Sequence, residues 1–297
     1  MQIPCLKSIS ILLLCFLMIS NLQGQEPSLL DLLDEDEPEV EYVKAAFKSS
    51  RVINSHSMEM LHPGTMDFRI LHRFGPVNRG FYDLFGLDQA SMRIGFDYGI
   101  SKHLTIGVGR STFNKEMDGF VKYRLIAQQT GKRNIPLSVV LVTGMTMDGR
   151  RWANPDRVNY FSSRLAYYHQ IIIGRKFNDW VSLQVTPGMV HRNLVASNED
   201  PHDIFYTGIG GRLKLTKRIA FTADYHYVFN PADPGISQNP LSLGLDIETG
   251  GHVFQLHFSN AIGMNERAFI TDTNAPWGGG EIRFGFNLSR MFQIKKQ

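Results

Sequence analysis

The stretch Met92-Arg93-Ile94-Gly95-Phe96-Asp97-Tyr98-Gly99-Ile100 decides the fold. Met92, Ile94, Phe96, Tyr98 and Ile100 alternate with Arg93, Gly95, Asp97 and Gly99. A period of two sends successive side chains to opposite faces of a strand, whereas an amphipathic helix would repeat near 3.6. Outward from this stretch the pattern recurs. Leu104, Ile106 and Val108 alternate with His103, Thr105, Gly107 and Gly109, and Phe221, Ala223, Tyr225 and Tyr227 with Thr222, Asp224 and His226. Twelve such segments lie near 65–74, 89–100, 103–113, 117–128, 136–147, 160–176, 179–191, 203–216, 218–229, 240–248, 251–262 and 279–292, most of them 9–14 residues long. Strands of globular proteins average about 5–6 residues, whereas a tilted strand that crosses a bilayer needs about 9–11. The polar faces also carry ionised groups at mid-strand. Both features fit a closed sheet with its apolar face in lipid and its polar face on a lumen.

Composition agrees. The chain has 297 residues, 43% hydrophobic and 11% aromatic, with 27 Gly. Beyond the first twenty-odd residues no apolar run of about 18 occurs, which excludes helical spans. Lys7, the apolar run Ile9 to Ile19 and the polar stretch Ser20 to Gly24 have the form of a secretory signal, with cleavage expected near Gly24. Both cysteines, Cys5 and Cys15, fall within it. The exported chain is then expected to lack disulfides, a thiolate nucleophile and thiolate metal ligands. Residues 25–44 read as an acidic periplasmic tail, with eight acids and no Lys or Arg between 25 and 41. From Tyr42 onward thirty basic residues stand against twenty acidic ones. The tail is read as a solvated strip, with an autoinhibitory plug or a docking strip for a periplasmic partner as the sharper alternatives.

Loop lengths set the orientation. Ser101-Lys102, Phe177-Asn178-Asp179, Lys217 and Gly250-Gly251 are tight turns, and 75–88, 148–159, 192–202, 230–239 and 263–278 are long. Outer-membrane barrels keep short turns on the periplasmic side and long loops outside, so both chain ends are expected in the periplasm. Two connections fit poorly: 129–135 is long for a turn and 114–116 short for an outer loop. Segment 52–60 also looks extended. As a wall strand it would make the count odd, so it is read as periplasmic or folded into the barrel mouth. The expected fold is all-β, a single up-and-down antiparallel transmembrane barrel of about twelve strands, with fourteen as the alternative. It would occupy 45–297, led in by an N-terminal segment at 45–63.

Particular motifs now bring in a resemblance. Phe47-Lys48-Ser49-Ser50-Arg51-Val52-Ile53-Asn54-Ser55-His56-Ser57, Asp67-Phe68-Arg69-Ile70, His72-Arg73-Phe74-Gly75, Phe85-Gly86-Leu87-Asp88, Arg93 to Ile100, Gly107-Val108-Gly109-Arg110-Ser111 and Asp118 to Tyr123 resemble the domain of unknown function 5777 family. Its members are outer-membrane β-barrel proteins of Bacteroidota. The likeness covers about residues 45–292. It implies a barrel and a compartment, and brings no activity or site residues. Outer-membrane barrels commonly end in an aromatic residue that the barrel-insertion machinery reads. Here Phe292 is followed by five more residues.

If the polar faces line the lumen, Arg69, Arg73, Arg93, Lys122, Arg124, Arg164, Lys176, Arg212, Lys214 and Arg283 stand against Asp67, Asp97, Asp224, Asp246, Glu248 and Glu281. Such a lumen would favour small anionic solutes by its summed field, unless the charges pair into a salt-bridged plug. Passage or binding of such solutes is the first functional expectation. The second is an envelope scaffold that binds a partner through the acidic tail or outer loops. Asp224 with His226, and His257 with Ser259, have the residue types of a base and its partner, but i, i+2 pairs abound in alternating strands. A membrane-embedded hydrolase is the weakest alternative, and no enzyme activity is expected. No His cluster has metal-ligand spacing, and the mid-strand glycines of 107–109 and 208–211 precede no helix, so neither metal, cofactor nor nucleic acid is expected. Lipid is the one partner the fold demands.

Overall fold

The computed structural model describes residues 40–295. The expected signal at 1–24 and most of the acidic tail lie outside the described residues. Two two-residue strands, β1 (Glu41–Tyr42) and β6 (Gln129–Thr130), pair with each other. The other twelve form the wall: β2 (Thr65–Pro76), β3 (Ala90–Gly99), β4 (Leu104–Ser111), β5 (Met117–Ile126), β7 (Ser138–Met147), β8 (Leu165–Lys176), β9 (Val181–Arg192), β10 (Asp203–Lys214), β11 (Ile219–Val228), β12 (Leu241–Thr249), β13 (His252–Ser259) and β14 (Arg283–Gln293). Each pairs antiparallel with its neighbours, and β14 closes on β2. Closure leaves no free edge, the condition for a sheet to cross a bilayer. All twelve expected segments are present, most with slightly narrower bounds.

The faces point as the alternation requires. Ile106, Val108, Val121, Leu141, Ile171, Val185, Ile209 and Leu245 lie exposed on the outer face. Aromatic pairs add to it: His72 stacks on Phe286 with ring centroids 4.9 Å apart, and Phe74 on Phe284 at 5.8 Å. Inward glycines face inward rings across the strands. Gly144 sits opposite Tyr168, Gly188 opposite Tyr206 and Gly107 opposite Phe120, and a Cβ at any of the three would run into the ring. These glycines pack aromatic side chains against the wall, a standard device in curved sheets.

Both ill-fitting connections have a physical reason. The long one, 127–137, carries β6, which holds β1 at the short-turn end, and Val43 N–H donates to the Gln128 carbonyl at 3.0 Å. The short one is a 3-10 turn at Phe113–Lys115, with Asn114 at φ 51° and Lys115 at φ 50°. A helix from another loop, described below, covers it.

The outer face predicts its own test. Ile209, at mid-strand between Val185 and Tyr225, is about half exposed. Ile209→Arg should cost about 2–4 kcal/mol at the bilayer midplane. Urea titration of protein folded into phospholipid vesicles reads this directly, and an unchanged midpoint would put that face outside the lipid.

Candidate functional site

The lumen is filled by the protein's own chain. Residues 45–63 enter from the short-turn end, fold back at mid-barrel and return to β2. The tip is a tight hairpin in which Val52 N–H donates to the Ser55 carbonyl at 2.9 Å and Ser57 N–H to the Ser50 carbonyl at 3.0 Å. The strand emerges through Gly64, at φ 73°. Gly99 lets the returning chain pass, since the His62 carbonyl occupies the place of a Cβ there.

Charged wall residues hold this segment. Asp224 accepts from the backbone N–H groups of Asn54 and Ser55, both at 2.9 Å, and from the Ser55 hydroxyl at 2.8 Å. Arg69 donates to Ser49 Oγ at 2.7 Å and to Ser50 Oγ at 2.5 Å, and Arg73 to Asn54 Oδ1 at 2.7 Å. Lys122 Nζ reaches the carbonyls of Glu59 and Ser50. Asp97 accepts from Ser50 Oγ, and Gln255 donates to the Val52 carbonyl. Lys48 pairs with Glu248 at 2.7 Å nearer the short-turn end. Backbone groups that an extended tip would bury unpaired are thus satisfied by wall side chains.

The remaining wall carries an apolar patch inside, which the sequence reading did not anticipate. Val140 and Val142 on β7, Ile172 on β8, Val190 on β9 and Ile204 on β10 face inward and are fully buried. With Tyr168, Tyr206 and Phe120 they form one hydrophobic cluster with Val52 and Met58 of the inserted segment. Filled by water, the lumen would leave these side chains wet, at roughly 1.5–3 kcal/mol for each large one. The signal was present, because β7 and β8 read Val139-Val140-Leu141-Val142 and Ile171-Ile172-Ile173, apolar on both faces.

A second insertion comes from the long-loop end. Between β13 and β14 the chain dips inward and forms helix α1 (Glu266–Thr271), where the Asn265 side chain caps Ala268 N–H at 2.9 Å. Phe269 and Ile270 join the same cluster, and Phe269 packs on His226 with centroids 5.0 Å apart. Glu266 is fully buried and meets Arg51 at 2.9 Å, with His56 3.5 Å away. The two insertions therefore clasp each other at mid-barrel through one ion pair. Above it, Arg267 donates to Glu116 and Asp272, both at 2.6 Å, and Asn265 donates to Glu116 at 2.7 Å. Burial pushes the Glu116 carboxyl up from its ordinary pKa, although Arg267 opposes the shift. Burial alone would lower Arg267, but Asp272 and Glu116 more than offset it and raise it.

The anticipated lumen charges are thus mostly engaged. Arg93 makes a bidentate pair with Asp118, and Asp246 accepts from Gln255 at 2.8 Å. Asp67 accepts from Ser289, and Lys176 pairs with Asp179 at 2.9 Å. Arg212 is buried facing inward. Arg124 is half-buried, and its Nε has no hydrogen-bond partner. Arg164 corrects the reading. It lies in a 3-10 turn (Phe161–Arg164) before β8, donates to the carbonyls of Asp148 and Arg150, and stacks 3.9 Å over Trp152. Its guanidinium ties down a loop at the long-loop end rather than lining the lumen. Arg283 and Glu281 rim a cavity of about 570 Å³ at the long-loop mouth, with Phe113, Asn114, Arg150, Arg267 and Asp272. The wall positions were legible from alternation. The residues that occupy the lumen, Arg51 and Glu266 above all, were not, since nothing local marks their pairing across 215 positions.

The two candidate base pairs are put to structural use. Asp224 is taken up by the inserted tip, and His226 Nε2 lies 3.7 Å from it. Ser259 Oγ accepts from Ser242 Oγ at 2.7 Å and from Ala261 N–H, while neither His257 ring nitrogen has a hydrogen-bond partner. Among the described residues no group of three or more His, Cys, Asp or Glu could hold a metal.

A closed sheet with a lipid-facing exterior and its own chain in the lumen defines the class: a membrane-bound β-barrel. The chain belongs to the domain of unknown function 5777 family, a membrane-bound β-barrel domain whose profile matches residues 47–292. The match begins two residues into the inserted segment, so nearly all of that segment is part of the family domain. Among solved structures, the NanC porin is similar at 8% identity, covering 78% of this chain and 100% of that one, with a TM-score of 0.49. OmpT, an outer membrane protein of Vibrio cholerae, is similar at 12% identity, 78% and 99% coverage and a TM-score of 0.40. No curated protein matches the chain.

The clasp makes a thermodynamic prediction. Arg51→Met or Glu266→Gln alone should destabilise by about 3–5 kcal/mol, because each strands the other group in the interior. The double variant should lose clearly less than the sum, with a coupling above about 1 kcal/mol in a double-mutant cycle of urea midpoints. Additive losses would show that the pair does not interact.

Proposed function

We propose that the protein is an outer-membrane barrel with a closed resting state, in which residues 45–63 act as a tethered plug and small solutes pass only when that segment is displaced. The observation that carries this reading is the fate of the wall charges: Asp224, Arg69, Arg73 and Lys122 each make hydrogen bonds to residues 49–59. The anion-favouring open lumen gives way to this reading. Much of the expected excess of positive charge, Arg69, Arg73, Arg93 and Lys122 above all, already has protein partners.

The scaffold reading keeps one observation in its favour. The β1–β6 ladder fixes residues 41 and 42 beside the longest connection at the short-turn end. On this reading a basic periplasmic partner would engage the chain at that end, beginning with the exposed Glu41. On either reading the expected signal at 1–24 directs export, and no catalysis is assigned.

Planar-bilayer recordings test the proposal. The wild-type chain should give no steady current. Asp224→Ala removes three hydrogen bonds to the tip and should produce frequent openings while leaving the wall folded. A stable, ion-selective conductance in the wild type would contradict the closed state.

A further inference from the structure

The cavity at the long-loop mouth carries charges of both signs, and they divide into two kinds. Arg267 and Asp272 are spent on each other, with Glu116 and Asn114 completing the network. Arg150 is likewise held by Asp148. Arg283 and Glu281 differ. The Arg283 Nε is buried with no hydrogen-bond partner, the guanidinium makes one long 3.4 Å hydrogen bond to the Phe74 carbonyl, and Glu281 acts on it through its charge without a hydrogen bond. Glu281, two residues earlier on the same side of the chain, is exposed, and its carboxylate accepts no hydrogen bond among the described residues.

We propose that this cavity binds a small zwitterion, an amino acid or a short peptide with both ends free. Arg283 would take the carboxylate and Glu281 the ammonium. Two residues of extended chain span roughly 6–7 Å between Cα atoms, a spacing from which the two side chains can reach the two charged ends of a dipeptide. An anion alone would be set beside Glu281 and Asp272, and a cation alone beside three arginines. Like-charge juxtaposition is what rejects wrong ligands, so mixed lining selects a ligand of both signs. At about 570 Å³ the cavity has the size of small-ligand sites. Phe113 and Ile262 offer apolar contact for a side chain. The floor is the loop that carries α1, fixed from below by the buried Glu266, so the site is formed before the ligand arrives. The proposal needs no movement of residues 45–63.

Isothermal titration of the detergent-solubilised full chain with the dipeptide Ala-Phe tests it. The free dipeptide should bind, and N-acetylation or C-amidation should each weaken binding about tenfold or more, the scale of one charged hydrogen bond. Glu281→Gln should abolish the penalty for acetylation and keep that for amidation, and Arg283→Gln should do the reverse. Both residues sit at the rim, and thermal melts check that each variant is folded. No heat with Ala-Phe at millimolar concentration, equal binding of the blocked forms, or tighter binding of the acetylated form would overturn the proposal. Because the titration reads no current, its failure leaves the closed-barrel reading intact, and a conducting wild type leaves this site intact.

Discussion

A barrel of twelve strands encloses more space than its own inward side chains can fill, and every inward group needs a partner. About eight strands is the width that side chains alone can pack. This chain meets the constraint by turning two of its own segments inward. Residues 45–63 rise from the short-turn end, and α1 descends from the long-loop end. Their contact, Arg51 with Glu266, is buried in the middle of the molecule. Such an ion pair costs desolvation and adds little net stability, but it punishes any arrangement that separates its members. The pair therefore fixes where the two insertions meet more than how stable the barrel is.

The lumen is divided by chemistry. Strands β11 to β14 and β2 to β5 supply most of the residues that pair with backbone and hydroxyl groups of the inserted segment, joined by Gln184 on β9, which accepts from Met58 N–H and donates to the His56 carbonyl. Strands β7 to β10 contribute the apolar surface on which Val52, Met58 and Phe269 pack. The first half does most to make the insertion specific, and the second does most to exclude water from it. Neither half has complete partners without the inserted chain, so barrel and insert form one folding unit even though the wall alone accounts for the closed sheet.

Much of this was legible beforehand, and the reason is local. Period two fixes which side of a strand each residue faces, so the wall, its twelve strands and the inward position of Arg69, Arg93, Asp97 and Asp224 follow from neighbours in sequence. Arg164 was misplaced because alternation continues for a few residues past the wall. Its 3-10 turn and its stacking on Trp152 show that the strand has not yet begun. The occupants of the lumen were illegible for a different reason. Segment 52–60 reads as extended whether it lines a wall or fills a cavity, and residues 263–278 read as loop. What identifies them is a set of contacts across 170 to 215 positions, such as Asn54 with Asp224 and Arg51 with Glu266. The doubly apolar runs in β7 and β8 were the one local sign that the interior could not be water.

The central claim is that the hairpin tip is sealed inside the barrel, and thiol accessibility tests it most directly. Val52 is fully buried at that tip, while Val158 is three-quarters exposed in an outer loop. The two would be replaced singly by cysteine and treated in folded barrels with a membrane-impermeant maleimide, with the wild-type chain as the blank. The account predicts that Val52→Cys labels at least about a hundredfold more slowly than Val158→Cys, and equally fast after unfolding, as expected when exposure of the site requires opening of about 3 kcal/mol or more. Equal rates in the folded protein would mean that the lumen is open and the tip lies outside it.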